Sequence, residues 1–230
     1  MGHIRAMAAA AFWKMHGLGN DFILVDCIRQ TYDEALLVGA ARAWCDRHFG
    51  IGADGLILVL PSTSADFRMR IINSDGSEPE MCGNGMRCYA RYLYDSGLTT
   101  RTTFTIETLA GPITPVLHVD DGVVRGVQVD MGVPRLERRD IPMVGPEGRV
   151  VDELLPVEDT VFQVTAVSMG NPHAVIFVRD VDGFPVERYG AQIETHGHFP
   201  RKTNVEFVEV HRPDYLKMRV WERGAGMTLA

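Results

Sequence analysis

Apolar residues gather along the chain in two distinct ways. Residues 22–25 (FILV) and 56–60 (LILVL) are unbroken apolar runs of strand length, and each follows a glycine-rich turn, HGLGND and GIGADG. Between them, YDEALLVGAARAWCDRHFG carries Leu36, Leu37, Ala40, Ala43 and Trp44 at helical spacing, which predicts one helix closed by Gly50 as its C′ residue. FRMRII (67–72) alternates like a strand. MRCYARYLYDSG predicts a short helix with Met86, Tyr89, Ala90 and Leu93 on one side and Gly97 beyond its end. FTIETL, ITPVLHV, VVRGVQVDM, VFQVTAVSM, AVIFV, VEFVEV and YLKMRVW then form a strand-rich series punctuated by Gly, Pro and Asp. The pattern is that of an α+β protein in which strands dominate, not of a doubly wound nucleotide fold.

Segments of the second half echo the first in the same order. MGNPHAVIFV (169–178) echoes LGNDFILVD (18–26), KTNVEFVEV (202–210) echoes ADGLILVL (53–60), and MRVWERGAG (218–226) echoes MRIINSDGS (69–77). Ordered echoes of this kind predict a duplicated unit folded as two similar domains facing one another. The boundary is expected near residues 126–134, giving domains 12–128 and 129–230.

Composition narrows the class. With 46% hydrophobic and 23% charged residues in 230, the chain can bury a core and carries no run long enough to cross a bilayer, so a soluble globular protein with no membrane partner is expected. A formal charge of −7 with no Lys/Arg-rich stretch argues against a nucleic-acid surface. The N-terminal MGHIRAMAAAAFW has a short apolar run that stops at Lys14 with no cleavage region, and is read as an untargeted leader or alternative start. Cys27, Cys45, Cys82 and Cys88, with 17, 36 and 5 residues between neighbours, match no metal-binding spacing. Reduced thiols in a cytosolic compartment, and no metal, are expected.

One cysteine stands apart. In NSDGSEPEMCGNGMRC a polar approach leads to Cys82, which directly precedes Gly-Asn-Gly and the start of a predicted helix. Free cysteines are usually small packed residues, and Cys27, Cys45 and Cys88 are read that way. A thiol acts as base or nucleophile only as the thiolate, which a helix N-terminus favours. The unpaired N–H groups at Gly83, Asn84 and Gly85 would also hold an anion, such as a carboxylate, beside the sulfur.

HGLGNDF, RHFGIGADG, NSDGSEPEMCGNGMRC, SMGNPH, TNVEF and VWERGAGMT together resemble the diaminopimelate epimerase family, in order and over nearly the whole chain from Phe12. The resemblance implies two pseudo-symmetric domains, each a mostly antiparallel or mixed sheet curled around a central helix, with the active site in the cleft between them. It implies a cofactor-free isomerase in lysine biosynthesis whose two cysteines face opposite sides of the substrate Cα, one removing a proton while the other donates one. Two like groups can exchange those roles for the reverse direction. Cys82 is then one catalytic thiol. The second would follow ERGAG at position 231, the place also given by counting twelve residues on from Arg219, as Cys82 stands twelve on from Arg70. The chain as it stands would be impaired without it.

By the same resemblance, Gly83 and Asn84 contact the substrate, and Asn20, Asn73, Asn171 and Asn204 hold its ammonium and carboxylate groups, an amide having both a donor and an acceptor end. Arg223 grips the distal carboxylate. Glu222 and His173 tune the ionisation of the thiols, with Glu222 also near the substrate. Gly55 stands where some family members carry a substrate-contacting glutamine. The implied partners are the small-molecule substrate and a second copy in a homodimer. Proline racemase, the nearest rival, typically has histidine after Cys-Gly where this chain has Asn84. An amino-acid-binding module without catalysis and a cysteine hydrolase are the alternatives from other classes; the hydrolase lacks a histidine evidently paired with Cys82.

Overall fold

The computed structural model of the chain describes residues 10–228. Most of the N-terminal leader, and the last two residues before the expected second thiol, lie outside the described residues. Among those described, no helix is long and apolar enough to cross a membrane.

The first half forms a six-stranded sheet in the order β1 (Trp13–Gly17), β2 (Asn20–Asp26), β3 (Gly55–Leu60), β4 (Phe67–Asn73), β5 (Ile106–Thr108), β6 (Gly111–Ile113). The β2–β3 and β4–β5 pairs are parallel and need crossovers, supplied by α1 (Glu34–Cys45) and α2 (Gly83–Asp95). These helices cover opposite faces. Phe22, Leu24, Ile57, Val59, Met69 and Ile71 pack with Met86, Tyr89 and Leu93 of α2. Ile23, Val25, Leu56, Leu58 and Ile72 pack with Leu37, Ala41 and Cys45 of α1. Strands buried on both faces have no reason to alternate, which is why FILV and LILVL are continuous apolar runs. A hairpin of β7 (Val116–Asp120) and β8 (Val123–Gln128) closes the α2 side through Leu117 and Val124. ITPVLHV is therefore split between β6 and β7 at Thr114–Pro115, because proline has no N–H for the ladder.

The second half forms another six-stranded sheet from β9 (Glu153–Val157), β10 (Thr160–Ser168), β11 (Pro172–Phe177), β12 (Asn204–Arg212), β13 (Tyr215–Glu222) and β14 (Gly226–Thr228). β11 and β12 are parallel, joined by α3 (Val186–Glu194), and the remaining neighbours are antiparallel. Strands β10 to β13 thus repeat the pairing senses of β1 to β4, and the echoing segments fall on corresponding strands. The registers agree: Phe22 lies beside Gly55 as His173 lies beside Asn204, and Leu58 faces Arg70 as Phe207 faces Arg219. On this correspondence α3 takes the place of α1, packing Val186, Tyr189 and Ile193 against Val164, Ala174, Ile176, Val205 and Phe207. The face matching that of α2 presents Phe177 and Met218, 59% and 50% exposed.

Two sequence expectations need correction. The first helix ends at Cys45, not at Gly50, because the Asp46 carboxylate accepts the N–H groups of His48 and Phe49 and starts a separate turn. The strand series also hides α3, whose segment begins after Pro185 and carries Gly190 mid-helix. That glycine is required by packing: a Cβ there would lie 2.6 Å from Cβ and 2.7 Å from Cγ of Trp221 on β13. Gly190→Ala is therefore expected to destabilise the protein by about 1–3 kcal/mol through overpacking, although alanine is the better helix former by about 1 kcal/mol. Urea unfolding measures this, and an unchanged or raised midpoint would refute it.

Candidate active site

The site begins with how α2 starts. Cys82 is its N-cap, in extended conformation, and the sulfur accepts the Gly85 N–H at 3.4 Å, the place usually filled by the oxygen of Ser, Thr or Asp. The Cys82 thiol in turn donates to Asn20 Oδ1 at 3.7 Å. Asn84 Nδ2 donates to the same oxygen at 3.4 Å. Asn20 is 1% exposed, and its Nδ2 donates to Asp54 Oδ2 at 2.9 Å. Asp54 also accepts the Asp21 N–H at 2.9 Å and Arg47 at 2.7 Å. Sequence reasoning brought Asn20, Gly83 and Asn84 to the thiol but missed Asp54.

Burial pushes the Cys82 thiol up to about 12. The Gly85 and Asn84 N–H groups pull it down, as expected of a helix start, while the Glu222 carboxylate pushes it further up. Desolvation wins, so the sulfur rests as the protonated thiol and not as the anion the sequence suggested. Cys27, Cys45 and Cys88 belong to the packed cores, and burial raises each to about 11.

The second half contributes the turn between β13 and β14. Asn204 Oδ1 accepts the Arg223 N–H at 2.9 Å, and Asn204 Nδ2 donates to the Pro172 carbonyl at 2.9 Å. Glu194, at the end of α3, accepts the Gly224 N–H at 3.1 Å and the Trp221 indole at 2.7 Å. Residues of the first half then close on this turn: Asn73 Nδ2 donates to the Arg223 carbonyl at 3.2 Å, Ser74 Oγ to the Gly224 carbonyl at 3.3 Å, and Glu80 pairs with the Arg223 guanidinium at 2.8 Å. Only glycine serves at Gly224, where φ is +77° and a Cβ would lie 2.7 Å from the Asp75 carboxylate. Burial favours the neutral form of Glu80, but Arg223 outweighs it and holds the carboxyl below its ordinary value.

Glu222 sits beside this turn and accepts the Thr228 hydroxyl at 3.0 Å. Burial raises its carboxyl above the usual range; Thr228 and His173 oppose the rise, and Asp54 and Glu206 add to it. His173 Nδ1 lies 2.7 Å from Glu206 Oε1, and its Nε2 lies 2.9 Å from Asn171 Oδ1. Asn171 and His173 thus form their own cluster and make no hydrogen bond to Cys82. Asn73 and Asn204 use their amides on the Arg223 backbone. Gly55, buried in β3 opposite Asn73, offers no side chain. A cavity of about 570 Å³, bounded by His16, Gly19, Asp21 and Asp54 on one side and Met227 and Thr228 on the other, opens between the two halves. No cluster of three or more metal-ligating side chains occurs among the described residues.

This arrangement has counterparts among known proteins. Solved structures share the fold alone: a hydroxyproline epimerase from Agrobacterium vitis (TM-score 0.68, 17% identity, 95% of this chain and 72% of that one) and a Bacillus anthracis phenazine biosynthesis protein of the PhzF family (TM-score 0.60, 20% identity, 95% and 73%). Sequence relatives are far closer. The diaminopimelate epimerase of Pelotomaculum thermopropionicum is 59% identical over 219 residues, covering 95% of this chain and 78% of the relative. That of Methanococcus maripaludis is 52% identical over 219 residues with the same coverage. The profile of diaminopimelate epimerase matches residues 12–137 and 165–230, spanning the Cys82 turn, the Asn171–His173 cluster and the Arg223 turn, and the chain belongs to the diaminopimelate epimerase family.

Proposed function

We propose that this chain interconverts LL- and meso-diaminopimelate without a cofactor, by proton transfer at the substrate α-carbon, with Cys82 as the acid–base group on one face. The observation that carries this is the Cys82 thiol at the first turn of α2, near enough to Glu222 of the second half, next to Arg223, for that carboxylate to act on the sulfur. A substrate α-carboxylate at Gly83 and Asn84 would meet the N–H groups of the helix start, where the charge that develops on deprotonation is stabilised. Arg223 would take the distal carboxylate in bidentate fashion, displacing Glu80. Asn20, Asn73, Asn171 and Asn204 orient the polar groups, and Glu222 and His173 set the ionisation of the reacting sulfur. Inversion needs a second acid–base group on the other face, the role of the expected second thiol.

Residues 12–128 and 129–230 are proposed as the two domains, each contributing one wall. A homodimer working in the cytosol on the lysine pathway completes the reading. The proline and hydroxyproline racemase reaction is disfavoured by Asn84 following Cys82–Gly83.

Deuterium uptake from D₂O into the substrate α-position tests the proposal. Exchange needs only the thiol on one face, whereas inversion needs both. Cys82-dependent exchange into diaminopimelate, with proline left untouched, is expected. Exchange into proline with diaminopimelate inert would overturn it.

A further inference from the structure

We propose that Asp54 is a positioning residue for the proton chemistry of Cys82, acting through the orientation of the Asn20 side chain. Cys82 is taken here as the reacting thiol, as proposed above. An amide has two unlike ends: its oxygen accepts from an S–H and so favours the thiol, whereas its NH₂ donates to a thiolate and favours that instead. Which end faces the sulfur therefore decides which protonation state is held.

Asp54 makes that choice. Its carboxylate oxygens are fixed as acceptors by the Asp21 N–H at 2.9 Å and Arg47 at 2.7 Å. Asn20 Nδ2 must turn toward it, at 2.9 Å, which leaves Oδ1 facing Cys82 and the Asn84 amide. Reversing the amide would set two acceptors, Asn20 Oδ1 and Asp54 Oδ2, against each other in a buried site. The other ionisable neighbours of the sulfur are Glu222 from β13 and Cys88 from α2, and the Asn20 side chain hydrogen-bonds to neither. In the second half the counterparts differ. Asn171 Oδ1 faces the His173 ring, and Thr203, in the place of Asp54, bonds the Asn204 carbonyl. Among the described residues, the device exists on the Cys82 side alone.

The test follows the alkylation of Cys82 by iodoacetamide against pH, read by peptide mass spectrometry in the folded protein, for wild type, Asp54→Asn, Asn20→Ala and the double variant. An asparagine at position 54 can present either end, so Asn20 is free to turn its NH₂ to the sulfur. Asp54→Asn is expected to bring the midpoint down by about one unit, making alkylation at pH 8 about tenfold faster. In the Asn20→Ala background the same change is expected to have less than about a twofold effect. An unchanged rate in Asp54→Asn would overturn the proposal. So would an equal acceleration with and without Asn20, which would make Asp54 a mere distant charge. Asp54→Ser replaces Asp54→Asn should the latter fail to melt cooperatively. Because the readout needs no turnover, the expected alkylation pattern in a protein that leaves diaminopimelate untouched would uphold the positioning role and sink the functional reading alone.

Discussion

Cys82→Ser is expected to lower α-hydrogen exchange by about 10²–10⁴-fold while leaving thermal stability unchanged or slightly improved. The two effects separate because Cys82 has two jobs. As N-cap it only accepts the Gly85 N–H, and serine oxygen does that better than sulfur. As acid–base group it must exchange a proton with carbon, for which an alcohol is far too weak an acid, and general acid–base contributions of this kind are worth about 10²–10⁴. Serine keeping wild-type exchange would remove Cys82 from the chemistry. A serine variant that failed to fold would instead mean that the sulfur serves mainly to pack.

The second large effect is expected at Arg223. Its side chain is 12% exposed and its guanidinium is paired across the two halves with Glu80, while its backbone is gripped by Asn73 and Asn204. Arg223→Met should therefore leave the turn in place but raise KM for diaminopimelate by about 10²-fold, corresponding to roughly 2–3 kcal/mol for truncating one side of a buried charge pair. Lysine should recover little, since it cannot match two carboxylate oxygens at once. The ion pair itself is a separable contribution. Glu80→Gln removes the charge that occupies Arg223 at rest, so its KM should not rise. Unchanged KM in Arg223→Met, measured by steady-state kinetics with diaminopimelate, would refute the assignment.

Much of the scaffold was legible because its signals are local. The unbroken apolar runs, the Met86–Tyr89–Ala90–Leu93 stripe and the ordered echoes each belong to one short segment, and they fell on β2, β3, α2 and corresponding strands. The misses arise where one segment's role depends on another. Gly190 reads as a helix breaker until Trp221 is brought against it. Glu206 looks like a polar strand residue until parallel pairing with β11 sets it beside His173. Asp54 in GIGADG reads as a turn residue, and its bond to Asn20 appears only once β2 and β3 lie side by side. Glu80 lies within the thiol segment, two residues before Cys82, yet its partner lies 143 residues away. The raised Cys82 thiol was illegible for a related reason: the helix start is written locally, whereas the burial that outweighs it comes only with the packed fold.

The paired strands carry unlike side chains at equivalent places: Phe22 and Ile57 in one half answer to His173 and Glu206 in the other, and Gly55 answers to Asn204. Phe22 and Ile57 are sealed in hydrocarbon beneath α2, whereas His173 and Glu206 bond to each other, so the same crossing of parallel strands is held by apolar contact in one half and by a polar pair in the other.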